Sequence, residues 1–142
     1  MTTKTNEALL PAGWPRPKGY ANGVAATGRQ VYVAGQVGWT PKGTWTSDDF
    51  GEQVKLALAN VAAVLRAGGA KPEHIVRMTW YVTSKREYLA AGRDIGKAFR
   101  EIIGHYDIAM TAVEVTALIE DRAKVEIEVT AVVPDPAAGG PG

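Results

Sequence analysis

The chain has 142 residues, 46% hydrophobic and 22% charged, with a formal net charge of +1. That is the usual size of one domain, able to bury roughly 68–70% of the surface its unfolded chain exposes, so folding needs neither metal nor disulfide. Interspersed charges exclude the clustered Lys/Arg footprint of a nucleic-acid binder, and the lack of cysteine excludes a disulfide framework and a thiol nucleophile.

Residues 1–18 hold Pro11, Gly13, Pro15 and Pro17 and read as an irregular arm, with a single domain predicted over residues 19–133. The start of the chain lacks the apolar core of a signal peptide, and no apolar run reaches the ~20 residues of a membrane span. These features predict a soluble, cytoplasmic protein with no membrane partner. A strand pair is predicted near Gly23–Ala26 and Gln30–Val37, joined by a turn at Thr27-Gly28. A loop with Pro41, Gly43 and Trp45 follows. Asp49 and Glu52 form a capping-box signal. Phe50, Val54, Ala57, Leu58, Val61 and Leu65 then share one helical face, and Gly68-Gly69 stops the helix.

Ile75–Thr83 reads as a strand with Val76, Met78, Trp80 and Val82 on one face. Ser84 and Glu87 open a second helix, whose apolar side carries Tyr88, Ile95, Phe99 and Ile102 and whose end is Gly104. Gly92 and Gly96, each costing ~1 kcal/mol of helix propensity, predict close packing of this helix against a neighbour or the sheet. Strands at Met110–Leu118 and Ala123–Val133 close the domain, and residues 134–142 form a tail expected to be disordered.

The order is ββαβαββ: an α+β fold with two helices over one face of a mixed sheet. The other face would carry Arg77, Thr79, Tyr81, Glu126, Glu128 and Thr130, with Tyr32 and Gln36 beside them. Aromatic and hydrogen-bonding groups mixed in this way suit a subunit interface, so a homo-oligomer is expected.

Several chemistries are excluded. Two histidines and no cysteine leave no structural zinc site, and no metal is expected. No GxxxxGK[ST] loop, GxGxxG turn or GxSxG elbow is present. His105, just past Gly104, suits a helix terminus, and His74 reads as a surface residue. Glu126 and Glu128 share a strand face. They read either as interface carboxylates paired to cations of another subunit, or as a pair in which one acts as acid or base. Arg93 reads either as a solvent-facing helix residue or as a clamp for a substrate carboxylate.

The ordered segments GYANGV (19–24), VYVAGQV (31–37), ALANV (57–61), IVRMTWYVT (75–83), AMTAVEV (109–115) and KVEIEVTAV (124–132) resemble the RidA/YjgF family. The resemblance implies a chorismate-mutase-like fold and a homotrimer with sites in clefts between subunits. It implies cofactor-independent hydrolysis of an enamine, imine or related small metabolite. The family's P-A-R-[ST] motif, whose Arg binds a substrate carboxylate, aligns with Ile108-Ala109-Met110-Thr111, so Met110 stands in the Arg position. The chain thus looks like a branch lacking that Arg. A thioether cannot hold a carboxylate. Ala112 stands where the family has Cys. Glu126 aligns with the Glu that positions water, and Tyr20 with the family's N-terminal aromatic. Gly92 or Arg93 aligns with a substrate-contacting Asn. The expected site is therefore Glu126 as the catalytic group, with Tyr20, Arg93, Met110, Thr111 and Ala112 binding substrate and Trp39 or Trp80 shaping the pocket. The alternative is a trimer that binds a small molecule without turnover. A ribonuclease role, also attached to the family, is opposed by the near-neutral charge.

Overall fold

A computed structural model describes residues 6–135. Six strands and three helices follow in the order β1 (Asn6–Leu9), β2 (Gly23–Ala26), β3 (Arg29–Val37), α1 (Phe50–Ala67), β4 (Ile75–Val82), α2 (Lys85–Ala90), α3 (Gly92–Ile102), β5 (Ala109–Glu114) and β6 (Val125–Val133), with a 3-10 turn at Pro72–His74 before β4. Four strands form the main sheet in the order β3-β6-β4-β5. Only β4 and β5 run parallel, so the sheet is mixed, and α2 and α3 supply the crossover a parallel pair needs. The expected α+β fold is the observed one.

The first helix forms as its caps dictate. The Asp49 carboxylate accepts from the Glu52 N–H at 3.0 Å, and Gly69 takes the positive φ that ends the helix. Its apolar stripe, including Val54, Leu58, Val61 and Leu65, packs on Val33, Met78, Trp80, Ile127 and Val129 of the sheet. Ser84 caps α2 by accepting from the Glu87 N–H at 3.1 Å. One face of the sheet is thus covered by α1 and α3, and the face bearing Arg77, Thr79, Tyr81, Glu126 and Glu128 is left open within the chain. Among the described residues no helix is long and apolar enough to cross a membrane.

Several expectations are corrected. Asn6–Leu9, assigned to an irregular arm, form β1 and pair antiparallel with β2. Their side chains are mostly exposed, so no apolar pattern announces the strand. The predicted β2–β3 hairpin is absent: β3 pairs with β6 instead. At Gly28 the chain crosses the end of β6, where any Cβ would overlap the Val133 carbonyl. The predicted second helix is broken at Ala91 into α2 and α3. Gly92 has no neighbour where a Cβ would stand and Gly96 meets only the end of Arg100, so the close packing expected of them is not found within the chain. In β4 a register shift between Ile75 and Arg77 buries Ile75 in place of Val76. The strand expected over Met110–Leu118 ends at Glu114, and β6 begins at Val125. His74 is buried, not on the surface, and its Nδ1 accepts from the Lys71 N–H at 3.0 Å. Residues 136–142 of the predicted tail lie outside the described residues.

Candidate functional site

Glu126 sits near the start of β6, opposite Tyr81 of β4 and Val37 of β3. Alternation along β6 turns Val125 and Ile127 into the core and Glu126 and Glu128 onto the open face. The ladder between β3 and β6 is interrupted between Val33 and Gln36, which sets Ala34 and Gly35 in a bulge. Beside that bulge the Glu126 carboxylate occupies the space where a Cβ on Gly35 would lie. Among the described residues no side chain or backbone group hydrogen-bonds to the Glu126 carboxylate, and no cation pairs with it. The oxygens are therefore available to a water or a ligand.

Glu128 is held differently. Its Oε1 accepts from the Tyr81 hydroxyl at 2.6 Å. That hydrogen bond to a carboxylate is the main reason the Tyr81 phenol is held above its ordinary pKa, and the charges of Glu128 and Glu126 add to it while Arg77 opposes. The two carboxylates, equivalent by position in the sequence, are thus made unequal: one is engaged, one is free.

The start of β6 is fixed from the helix layer. Gln53, fully buried in α1, donates from Nε2 to Ser47 O (3.1 Å) and Arg122 O (3.0 Å) and accepts at Oε1 from the Lys124 N–H (2.8 Å). Seven residues on, buried Asn60 donates to Val37 O (3.1 Å) and Trp39 O (2.8 Å). These two amides pin both ends of the 38–49 loop, and Gln53 also fixes the residue two before Glu126. Gly38 lets α1 approach, because a Cβ there would strike the Gln53 backbone. Sequence reasoning passed over Gly35, Gln53 and Asn60. The signal for Gln53 and Asn60 was two polar amides seven apart beside an apolar helical stripe, and that for Gly35 was a lone glycine inside a strand pattern.

The other expected residues lie elsewhere in the chain. Met110 is registered with Met78 and Ala112 with Trp80, so both belong to the helix-covered side, and Met110 packs on the core. Thr111, opposite Thr79, shares the open face with Glu126 but stands on the far edge strand, with β4 between. Tyr20 is exposed beside the start of β5, where the Ala21 N–H donates to Ile108 O at 2.9 Å. Arg93 is exposed on α3, in the helix layer. Trp80 is buried among the helices with its ring edge-on to Tyr88 at 6.2 Å, and its indole N–H has no hydrogen-bond partner. Trp39 instead packs on Trp45 at 5.6 Å, and the Arg122 guanidinium lies 5.9 Å from the Trp45 ring centroid. One chain therefore does not gather Glu126, Met110 and Arg93 into one pocket. Among the described residues no group of three or more His, Cys, Asp or Glu is placed to hold a metal ion.

Comparison with known proteins bears on this geometry. The family model described as Endoribonuclease L-PSP matches residues 15–133. A RutC family protein of Aquifex aeolicus is 31% identical over 134 residues, covering 91% of this chain and 96% of the relative. The 2-iminobutanoate/2-iminopropanoate deaminase of Salmonella typhimurium is 32% identical over 113 residues, covering 80% of this chain and 86% of that protein. The crystal structure of the Rid family protein YyfB from Yersinia pestis superimposes with a TM-score of 0.79 at 29% identity, covering 92% of this chain and all of the other. The chain belongs to the RidA/YjgF family, whose matching model is the one described as Endoribonuclease L-PSP.

Proposed function

We propose that the protein is a cofactor-independent hydrolase of a small enamine or imine, assembled as a homotrimer. Clefts between its subunits would unite Glu126 of one chain with Tyr20 and Met110 of the next. The observation that carries the proposal is the free Glu126 carboxylate at the Gly35 bulge, in a chain similar to a named imine deaminase. A tautomerised enamine presents an electrophilic imine carbon. Water held by Glu126 adds to that carbon while the carboxylate takes its proton and passes it to the nitrogen, giving the carbinolamine. The C–N bond then breaks as the hydroxyl proton is carried by Glu126 to the departing nitrogen, releasing ammonia and the carbonyl product. The separation of Glu126 from Met110 within one chain supports a site completed by a second copy. Met110 in the position of the family Arg supports a substrate held less by its carboxylate than by apolar contact. Arg93, exposed on α3, could reach the site only from a neighbouring chain, as could Thr111 and Ala112.

The test is to generate 2-iminopropanoate in situ and follow its loss with wild-type protein and Glu126→Gln. Wild type should accelerate the loss, and the variant should lose about 10²–10⁴-fold of that acceleration. No acceleration by wild type removes the imine as substrate. Equal rates remove the role of Glu126. A second reading, binding without turnover, is favoured by the soft thioether at position 110. It predicts ligand-dependent shifts in melting temperature with no product.

A further inference from the structure

Gln53 and Asn60 are the buried polar side chains of α1, Gln53 fully enclosed and Asn60 nearly so. Seven residues separate them, so both amides leave the same face of the helix, about 10.5 Å apart along its axis. Amides placed in an apolar layer need partners, and every bond these two make leaves the helix. The bonds to Ser47 O, Arg122 O and Trp39 O serve loops. The other two flank Glu126. Gln53 Oε1 accepts from the N–H of Lys124, two residues before Glu126, and Asn60 Nδ2 donates to the carbonyl of Val37, the residue registered with Glu126 on β3. Between Val33 and Gln36 the β3–β6 ladder is out of step, so the pairing beyond the bulge is not dictated by the ladder before it. Val37 lies just beyond, and there the helix grips it. Both amides lie in the helix layer, away from the open face, so association through that face leaves these bonds as they are.

We propose that Gln53 and Asn60 are positioning residues for Glu126. Two side chains at a fixed spacing on one helix set how far β3 is advanced along β6, and that setting puts Gly35 beneath the Glu126 carboxylate. Loss of the bond to Lys124 frees the start of β6, and loss of the bond to Val37 frees the end of β3. Either lets the carboxylate drift from the glycine. A misplacement of about 1 Å at a reacting group costs on the order of 10²-fold in rate. The inference rests on the reading of Glu126 as the group that holds water, but the contact between Glu126 and Gly35 can be followed without any substrate.

The experiment compares two substitutions of Gln53 that differ in the bond to Lys124. Gln53→Glu keeps an oxygen that accepts from the Lys124 N–H and gives up the amide donor. Gln53→Met has similar length and keeps none of the three bonds. Asn60→Leu frees Val37 from the other side. The first readout, in the full chain, is the nuclear Overhauser contact between the Gly35 α-protons and the Glu126 γ-protons, which needs no turnover. The second is kcat and KM for 2-iminopropanoate generated in situ. Wild type should show the contact, and its absence there overturns the proposal. Gln53→Met and Asn60→Leu should each lose the contact and lower kcat about 10²-fold, with KM within about twofold. Gln53→Glu should keep the contact and hold kcat within about threefold of wild type, although it too gives up the bonds to Ser47 and Arg122 and melts lower. A role in stability alone predicts instead that all three variants, held below their melting transitions, keep both the contact and kcat, and that result overturns the proposal. Loss of the contact in Gln53→Glu overturns it too, because the Lys124 bond would then not be what holds Glu126. If Gln53→Met does not fold, Asn60→Leu against Gln53→Glu makes the same comparison. A wild type that shows the contact but leaves the imine untouched strikes the function proposed above, and the contact in the variants then decides the positioning role.

Discussion

The Glu126 carboxylate lies where the side chain of Gly35 would begin. This relationship makes a glycine on one strand the condition for the position of an acid on the next. Gly35 does not have a positive φ, so alanine can take its backbone conformation without strain. Gly35→Ala should therefore fold and melt near wild type while swinging Glu126 out of place. Imine turnover should fall about 10–100-fold, with a smaller change in KM. A double-mutant cycle checks the route: Gly35→Ala combined with Glu126→Gln should be no worse than Glu126→Gln alone. Additive losses would show that Gly35 acts by some other means.

Gln53 is the second place where one residue holds several segments. Gln53→Leu leaves the Lys124 N–H and the Ser47 and Arg122 carbonyls without their partner. The expected cost is about 2–4 kcal/mol, since buried groups lose hydrogen bonds that no water replaces. Urea denaturation measures it. A loss under about 0.5 kcal/mol, the level of an ordinary surface change, would mean that water or a local shift restores those bonds.

The bond between Tyr81 and Glu128 has a pH signature. The folded state raises the phenol's pKa, so it holds that proton more tightly than the unfolded chain does. The resulting stability is complete below the unfolded value near 10 and is lost as pH climbs through the higher folded value. Removing the carboxylate acceptor in Glu128→Gln should let Tyr81 ionise at lower pH. Phenolate absorbance, with Tyr81→Phe subtracted to isolate this ring, reads the shift. An unmoved titration would contradict the assigned cause.

The two helix caps allow a cleaner comparison. Asp49→Ala and Ser84→Ala each remove one side-chain acceptor from a helix N-terminus, and each should cost about 1 kcal/mol. Because α1 is 18 residues long and packs across the sheet, whereas α2 is six residues long with no buried member, losing the first cap should be felt globally. Losing the second should appear as faster amide exchange confined to 85–90.

The parts of the fold legible in the sequence are those governed by local rules. Asp49 with Glu52, Ser84 with Glu87 and the period-two pattern of β6 each announce an element by its own residues. What was not legible depends on partners distant in sequence. Asn6–Leu9 become a strand only because β2 offers its edge, and β3 turns away from β2 because β6 arrives about a hundred residues later. The site divides in the same way. The open face was read correctly from alternation, which sets Arg77, Thr79, Tyr81, Glu126 and Glu128 on it. The inequality of the two carboxylates was not legible. It arises from a bulge in β3 and a tyrosine on β4, neither of which is adjacent to them in sequence.

The place of β6 between β3 and β4 has a consequence for biosynthesis. One of the two inner strands of the sheet is the last of its strands to leave the ribosome. Until it does, β3 has no neighbour, β4 and β5 form only a pair, and the apolar face of α1 has half a sheet to lie on. A nascent chain of this protein can make helices early but cannot close its core until residue 133 has emerged. Its most exposed and aggregation-prone moment therefore falls just before β6 emerges.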